Sequence, residues 1–531
     1  MYRRLVLLAL FCAYAALADT YPRQPGVDVQ HYTFRLTLSD ATNEIEGEAS
    51  IDVRFTEDQV KELALDFTSP TADGKGMTVT SASVPYTHKD NRLRLAVEPP
   101  SKSGERRQFT VRYHGIPAGG LRIMTNKYGE RVFFSENWPN NARHWLPMID
   151  HPYDKASSEF IVTAPSQYQV IANGALQEQI DLGDGRRLTH WKLSSPIPSW
   201  LNAIGVAQFD VHYAPAVKGI IPLQTWVFHQ DQAIGPAWFE PTARAALEFF
   251  GESIGPYSYE KLANVAAAGV SGGTEHASAI FYSEKAILQH PGTGLIAHET
   301  AHQWFGDSVT EKDWNDVWLS EGFATYFTLL FIEHSEGRDA FVRGLEQSRQ
   351  QIFTLQKSHP EYTVVHQNLD DMKQVTNAII YQKGSWTLHM LRKLMGDDKF
   401  WAGIREYYQR YRNANASTAD FRKVMEETSG VPLEWFFSQW LPRPGVPVLE
   451  GSWSYDPGAH QVRVELEQTE DGPAYRLPLE IGIGDEVKSF ELREKKQTFA
   501  FPSGQEPSTV TLDPGTWALI RVEKFAKAGA N

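Results

Sequence analysis

The chain reads as a multi-domain α+β protein with an all-β N-terminal domain, a mostly helical central domain and a small C-terminal β domain. Two shifts of hydrophobic period predict this. Apolar and polar residues alternate with period two from residue 19 to about 215, recur at helical spacing over 216–445, and alternate again over 446–531. At 531 residues the chain is also too long for one ordinary core.

Residues 1–18 read as a signal peptide. Arg3 and Arg4 precede an apolar run, Leu5 to Ala16, and Ala16-Leu17-Ala18 has the small-x-small pattern of a cleavage site. Export to a periplasm or the extracellular space, with cleavage near Ala18, is the expectation. The run is too short to span a bilayer, and no later stretch approaches the roughly 20 apolar residues a span needs. Cys12, the only cysteine, lies in this segment, so the mature chain has neither disulfide nor thiolate ligand.

Over 19–215, Tyr32–Leu38, Ile45–Phe55, Phe109–Tyr113, Phe160–Thr163 and Tyr168–Ala172 are the clearest alternating strands. Over 216–445, helices are expected at Ala233–Gly251, Gly294–Phe305, Ser320–His334, Asp339–Leu355, Ala378–Gly396 and Asp398–Tyr411. One strand, Lys261–Ala268, runs into Gly269, Gly272 and Gly273. Pro442-Arg-Pro-Gly-Val-Pro447 marks the join to the final β domain, where Val462–Leu466 and Leu477–Ile481 alternate. The net charge of −14, with no basic tract, excludes a nucleic-acid partner. Oligomeric state is not written in the sequence.

The densest chemistry is His298-Glu299-Thr300-Ala301-His302. On a helix, residues four apart share a face, so two imidazoles converge on one cation, and neutral nitrogen donors suit zinc. Glu299 can lean over the open side of such an ion, where it would take a proton from water. Alone, the motif also fits a coincidental helix with satisfied histidines. A third ligand is available in Glu321, within Trp318-Leu-Ser-Glu-Gly-Phe-Ala, eighteen residues beyond His302. Two histidines, a glutamate and one open position make a catalytic zinc site.

His298-Glu-x-x-His302, eighteen residues, then Glu321 resembles the gluzincin pattern of the aminopeptidase N and leukotriene hydrolase family. The resemblance extends to Lys312–Tyr326 and Asn140–Asp150, and covers nearly the whole chain. It implies a saddle-like N-terminal β domain, a thermolysin-like catalytic domain, one zinc ion per chain, and aminopeptidase action on peptides with a free N-terminus. The family's Gly-x-Met-Glu-Asn element corresponds to Gly272-Gly273-Thr274-Glu275-His276. Glu275 is retained, and by resemblance it grips the substrate's α-ammonium; Thr274 and His276 depart from the pattern, and His276 is a candidate source of pH sensitivity. Glu136 falls where relatives place a glutamine that also holds the amine. Tyr381, in Tyr-Gln-Lys-Gly384, matches the family tyrosine that stabilises the oxyanion, while Lys383 carries no assigned role. A compact C-terminal β domain stands where many relatives carry a long helical one, which implies a more open cleft.

Three other readings share these residues: a thermolysin-type endopeptidase, a non-catalytic zinc-containing peptide-binding protein, and a non-peptidase hydrolase. The retained Glu275 opposes the first, and the pairing of Glu299 with Tyr381 opposes the second. Asn415-Ala-Ser417 is formally a glycosylation acceptor.

Overall fold

A computed structural model describes residues 19–289, 292–366, 369 and 371–529; the expected signal peptide and Cys12 lie outside the described residues. No described helix is long and apolar enough to cross a membrane.

The N-terminal region is built on a seven-stranded sheet. Its spatial order is Ala175–Asp181, Arg186–Ile197, Ala156–Pro165, Val27–Thr37, Ile45–Phe55, Arg106–Ile116 and Gly76–Ala82. Within Val27–Thr37, Tyr32, Phe34 and Leu36 are buried while Arg35 is exposed, so the period-two pattern sorts one face inward. A four-stranded sheet, with Arg131–Ser135 among its strands, and a three-stranded sheet share the same core.

The central region begins with a five-stranded sheet in the order Phe209–Val217, Ile221–Phe228, Leu262–Ala267, Ala279–Ser283, Gly273–Thr274. Phe209–Val217 pairs antiparallel with Ile221–Phe228, so this sheet crosses the join that composition suggests at 215/216. The two faces of the sheet serve different cores. Leu262, Ala266, Ile280 and Tyr282 face the helical core, while Ala263, Val265, Ala267, Ala279 and Phe281 face that of the N-terminal region.

The expected helices form at Gly235–Ser253, Thr293–His302, Trp318–Glu336, Arg338–Ser358, Ala378–Met395 and Asp397–Tyr411. Trp318–Glu336 buries residues on every side, as a helix that is apolar all round must. Thr418–Ser429 and Glu434–Trp440 add two further helices that periodicity does not announce. Asn415 is not a free acceptor: its amide donates to the carbonyls of Pro152 and Glu311, at 2.8 and 3.2 Å. Ser417 caps the next helix through a reciprocal bond with Asp420.

The C-terminal β region forms a four-stranded and a three-stranded sheet. Its Leu449, Leu466 and Leu519 join Trp440 and Leu441 in the helical core, so this region is fused to the catalytic helices by shared apolar contact.

Candidate metal centre and cleft

Helix Thr293–His302 presents His298 and His302 one turn apart, with ring centroids 4.7 Å apart and Nε2 atoms 3.1 Å apart. The helix stops at His302, short of the expected Phe305. There the chain turns back, so that the Phe305 carbonyl lies 3.1 Å from His302 Nδ1. Ser320 Oγ lies 3.1 Å from the same nitrogen. A proton held on Nδ1 by these oxygens leaves Nε2 as the metal-facing lone pair.

Glu321 sits in the first turn of Trp318–Glu336, with Oε2 3.5 Å from His298 Nε2 and 3.3 Å from His302 Nε2. Ligand atoms about 2.1 Å from a tetrahedral centre stand about 3.4 Å apart, so the three spacings fit a zinc tetrahedron. Buried Glu321 Oε2 has no hydrogen-bond partner among the described residues, as suits an oxygen directed at a cation. This is also the one cluster of three such ligands among the described residues. Burial pushes the Glu321 carboxyl up, but the two imidazoles set against it outweigh that and hold the group well below its ordinary value.

Glu299, between the two histidines, is buried and rests on the edge strand Gly273–Thr274. A Cβ at Gly273 would stand 2.5 Å from Glu299 Cδ, so only glycine lets the strand lie that close. Burial, with Glu275 nearby, pushes the Glu299 carboxyl well above its ordinary value.

A cleft of about 370 Å³ opens here, lined by Glu136, Gly273, Thr274, Glu275, Glu321 and Tyr381, together with Arg122 and Trp138. Tyr381 donates to Glu321 Oε1 at 2.7 Å. Its position is set by a helix crossing in which Gly384 of Ala378–Met395 meets Gly322 of Trp318–Glu336. Thr274 Oγ1 donates to Glu136 Oε2 at 3.2 Å, so a residue that departs from the family pattern supports the carboxylate that replaces its glutamine. Burial pushes Glu275 up to about 7, with His302 opposing and Glu321 adding to the shift. The structure thus gathers His298, His302, Glu321, Glu299, Tyr381, Glu275, Glu136, Gly273 and Thr274 at one place.

Two expected substrate contacts fall elsewhere. His276 is 0% exposed, and its ring packs edge-on against Phe281, 4.8 Å between centroids, in the N-terminal core. Burial lowers it to about 4, which keeps it neutral at ordinary pH rather than making it a sensor near neutrality. Gly272, at φ +71°, forms the turn before the edge strand, and its carbonyl accepts from Ser283 N at 2.8 Å. Conversely, sequence reasoning passes over Ser320 and Arg122. Ser320 is adjacent to Glu321 and legible as a ligand's neighbour; Arg122 reaches the cleft only through tertiary packing.

A His-Glu-x-x-His helix completed by a glutamate from the following helix defines a gluzincin metal centre. Residues 240–440 match the Peptidase family M1 domain, and residues 28–201 match the Peptidase M1 N-terminal domain. The chain belongs to the M1 peptidase family. It is 30% identical to glutamyl aminopeptidase of Homo sapiens over 364 residues, which is 64% of this chain and 37% of that one. The chain therefore spans little more than a third of that relative's length. Its fold is similar to an M1 zinc metallopeptidase from Deinococcus radiodurans, with TM-score 0.69, 24% identity, and coverage of 80% of this chain and 95% of that one. It is also similar to Legionella pneumophila aminopeptidase A in complex with aspartic acid, with TM-score 0.79, 18% identity, and coverage of 96% and 61%.

Proposed function

We propose that this protein is an exported zinc aminopeptidase that removes the first residue from peptides with a free N-terminus. The observation that carries the reading is Glu275, buried in the same cleft wall as Glu321 and Tyr381. A fixed anion at that place makes a free amine a condition of productive binding. Glu136 adds a second carboxylate on the same cleft.

His298, His302 and Glu321 would hold a zinc ion, which when bound would acidify a water and polarise the scissile carbonyl. Glu299 accepts a proton from the attacking water and returns it to the leaving amine. Tyr381 donates its hydroxyl proton to the developing oxyanion in place of Glu321 Oε1. Burial and the adjacent Glu321 hold the phenol well above its ordinary value, so it stays a donor. The outer side of edge strand Gly273–Thr274 offers backbone groups to an extended peptide. Arg122, the cation among the described lining residues, supports acceptance of acidic first residues, in keeping with the glutamyl aminopeptidase relatives.

Export is supported by the Arg3-Arg4 start, the Leu5–Ala16 run and the Ala16-Leu17-Ala18 site, and is tested by N-terminal sequencing of the exported protein, where Asp19 is expected first. The activity is tested with aminoacyl arylamides and matched N-acetylated peptides, including glutamyl and lysyl forms. Hydrolysis confined to free amines and weakened in Glu275→Ala supports the aminopeptidase. Cleavage of blocked peptides that survives the substitution makes the protein an endopeptidase, and inactivity with zinc bound makes it a binding protein or a non-peptidase hydrolase. A glutamyl preference lost in Arg122→Ala supports the acidic subsite.

A further inference from the structure

We infer that the C-terminal β region positions Tyr381, and that Lys383 is the residue through which it does so. This rests on the catalytic reading of Tyr381. Lys383 follows Tyr381 by two positions on helix Ala378–Met395 and is 0% exposed. Its Nζ donates to the carbonyls of Arg443 (2.6 Å) and Gly445 (2.9 Å), both in the proline-rich join to the C-terminal region. A buried amine facing two neutral carbonyls, with no carboxylate beside it among the described residues, is an expensive choice, since a methionine of similar length would fill the same space without desolvating a polar group. What the lysine adds is direction: two bonds that fix the helix against the join.

The join is itself pinned. The Arg443 guanidinium lies 3.4 Å from the Tyr475 ring centroid and donates to Pro473 O at 2.6 Å, which anchors the side chain to the C-terminal region while the carbonyl faces Lys383. Further along the same helix, His389 Nε2 lies 2.9 Å from Thr516 O, Leu519 N donates to Met390 Sδ at 3.5 Å, and Lys393 pairs with Glu480. On its other side the helix meets the zinc-ligand helix through Gly384 and Gly322, and there Tyr381 reaches Glu321. The tyrosine helix is gripped between the metal site and the C-terminal region, and Lys383 is the grip nearest to the phenol.

The test is a double-mutant cycle in the zinc-loaded full chain. Lys383→Met is expected to lower kcat about tenfold, with KM within about twofold and zinc content unchanged. In a Tyr381→Phe background the same change should alter kcat by less than about twofold, because the group it positions is gone. A crystal structure of Lys383→Met should show the Tyr381 hydroxyl displaced from Glu321. Should Lys383→Met not fold, Arg443→Ala, at the half-buried join, takes its place, with about a threefold loss that likewise vanishes with Tyr381→Phe. Unchanged kcat, or a loss of equal size in both backgrounds, overturns the positioning role while leaving Tyr381 catalytic. A Tyr381→Phe variant with unaltered kcat overturns both.

Discussion

A methyl group placed on Gly322 would stand 3.1 Å from the Cα of Gly384, so the helix that carries the metal-binding glutamate and the helix that carries the phenol touch backbone to backbone. An alanine at either position requires the facing backbone to give by a few tenths of an ångström. Gly384→Ala is therefore expected to lengthen the Tyr381–Glu321 bond and to lower kcat about tenfold, with zinc still bound. Steady-state kinetics alongside metal analysis checks this. A kcat equal to that of the parent protein would show that the crossing yields without moving the phenol.

Gly273→Ala should act on the base instead. Its Cβ would overlap the Glu299 carboxyl, 2.5 Å from Cδ, and a displaced base near the reacting atoms costs about a hundredfold in rate. Glu299→Gln removes the base outright, with an expected loss of about 10²–10⁴ in kcat. Both variants should keep their zinc, which separates them from changes at His298, His302 or Glu321.

Chelation should abolish activity and also lower the melting temperature, since an ion present at about a thousand times its Kd contributes about 4 kcal/mol to the folded state. Readdition of zinc should restore both. Ser320→Ala, which removes an oxygen from His302 Nδ1, should weaken zinc affinity about tenfold, read by competition with a chelator of known affinity.

His276 predicts an acid-side loss of stability. Burial lowers its folded pKa to about 4 from 6.5, so between these values the unfolded chain binds more protons and stability falls as pH falls. By pH 5 the single group has cost about 2 kcal/mol of the stability that is present in full above about 6.5. Urea unfolding of His276→Asn should show a shallower decline between pH 7 and pH 5. An unchanged decline would mean that the imidazole is already charged in the folded protein.

The metal ligands were legible because they lie close together in the chain and are positioned by helix geometry alone: His298 and His302 on one helix, Glu321 in the first turn of the next. Arg122 was not, because it approaches the cleft through packing between regions far apart in sequence. His276 is named as a substrate contact only through its place in the family element, and strand Gly273–Thr274, two residues long, ends before it and leaves its ring turned into the N-terminal core. Alternation ran through Phe209–Val217 without a break, and only its partner, Ile221–Phe228, assigns that strand to the central sheet. Helix Thr418–Ser429 goes unexpected because its start is marked by the Ser417/Asp420 cap rather than by a long apolar period.

The alternation along Leu262–Ala267 makes the central sheet a wall shared by two rooms. Neighbouring residues on one strand answer to different regions: Val265 to the N-terminal core, Ala266 to the helices that hold the metal. Neither region can be excised without exposing one face of that wall to water. The edge strand that touches Glu299 inherits its position from both sides, and so a change deep in the N-terminal region can be felt at the catalytic base.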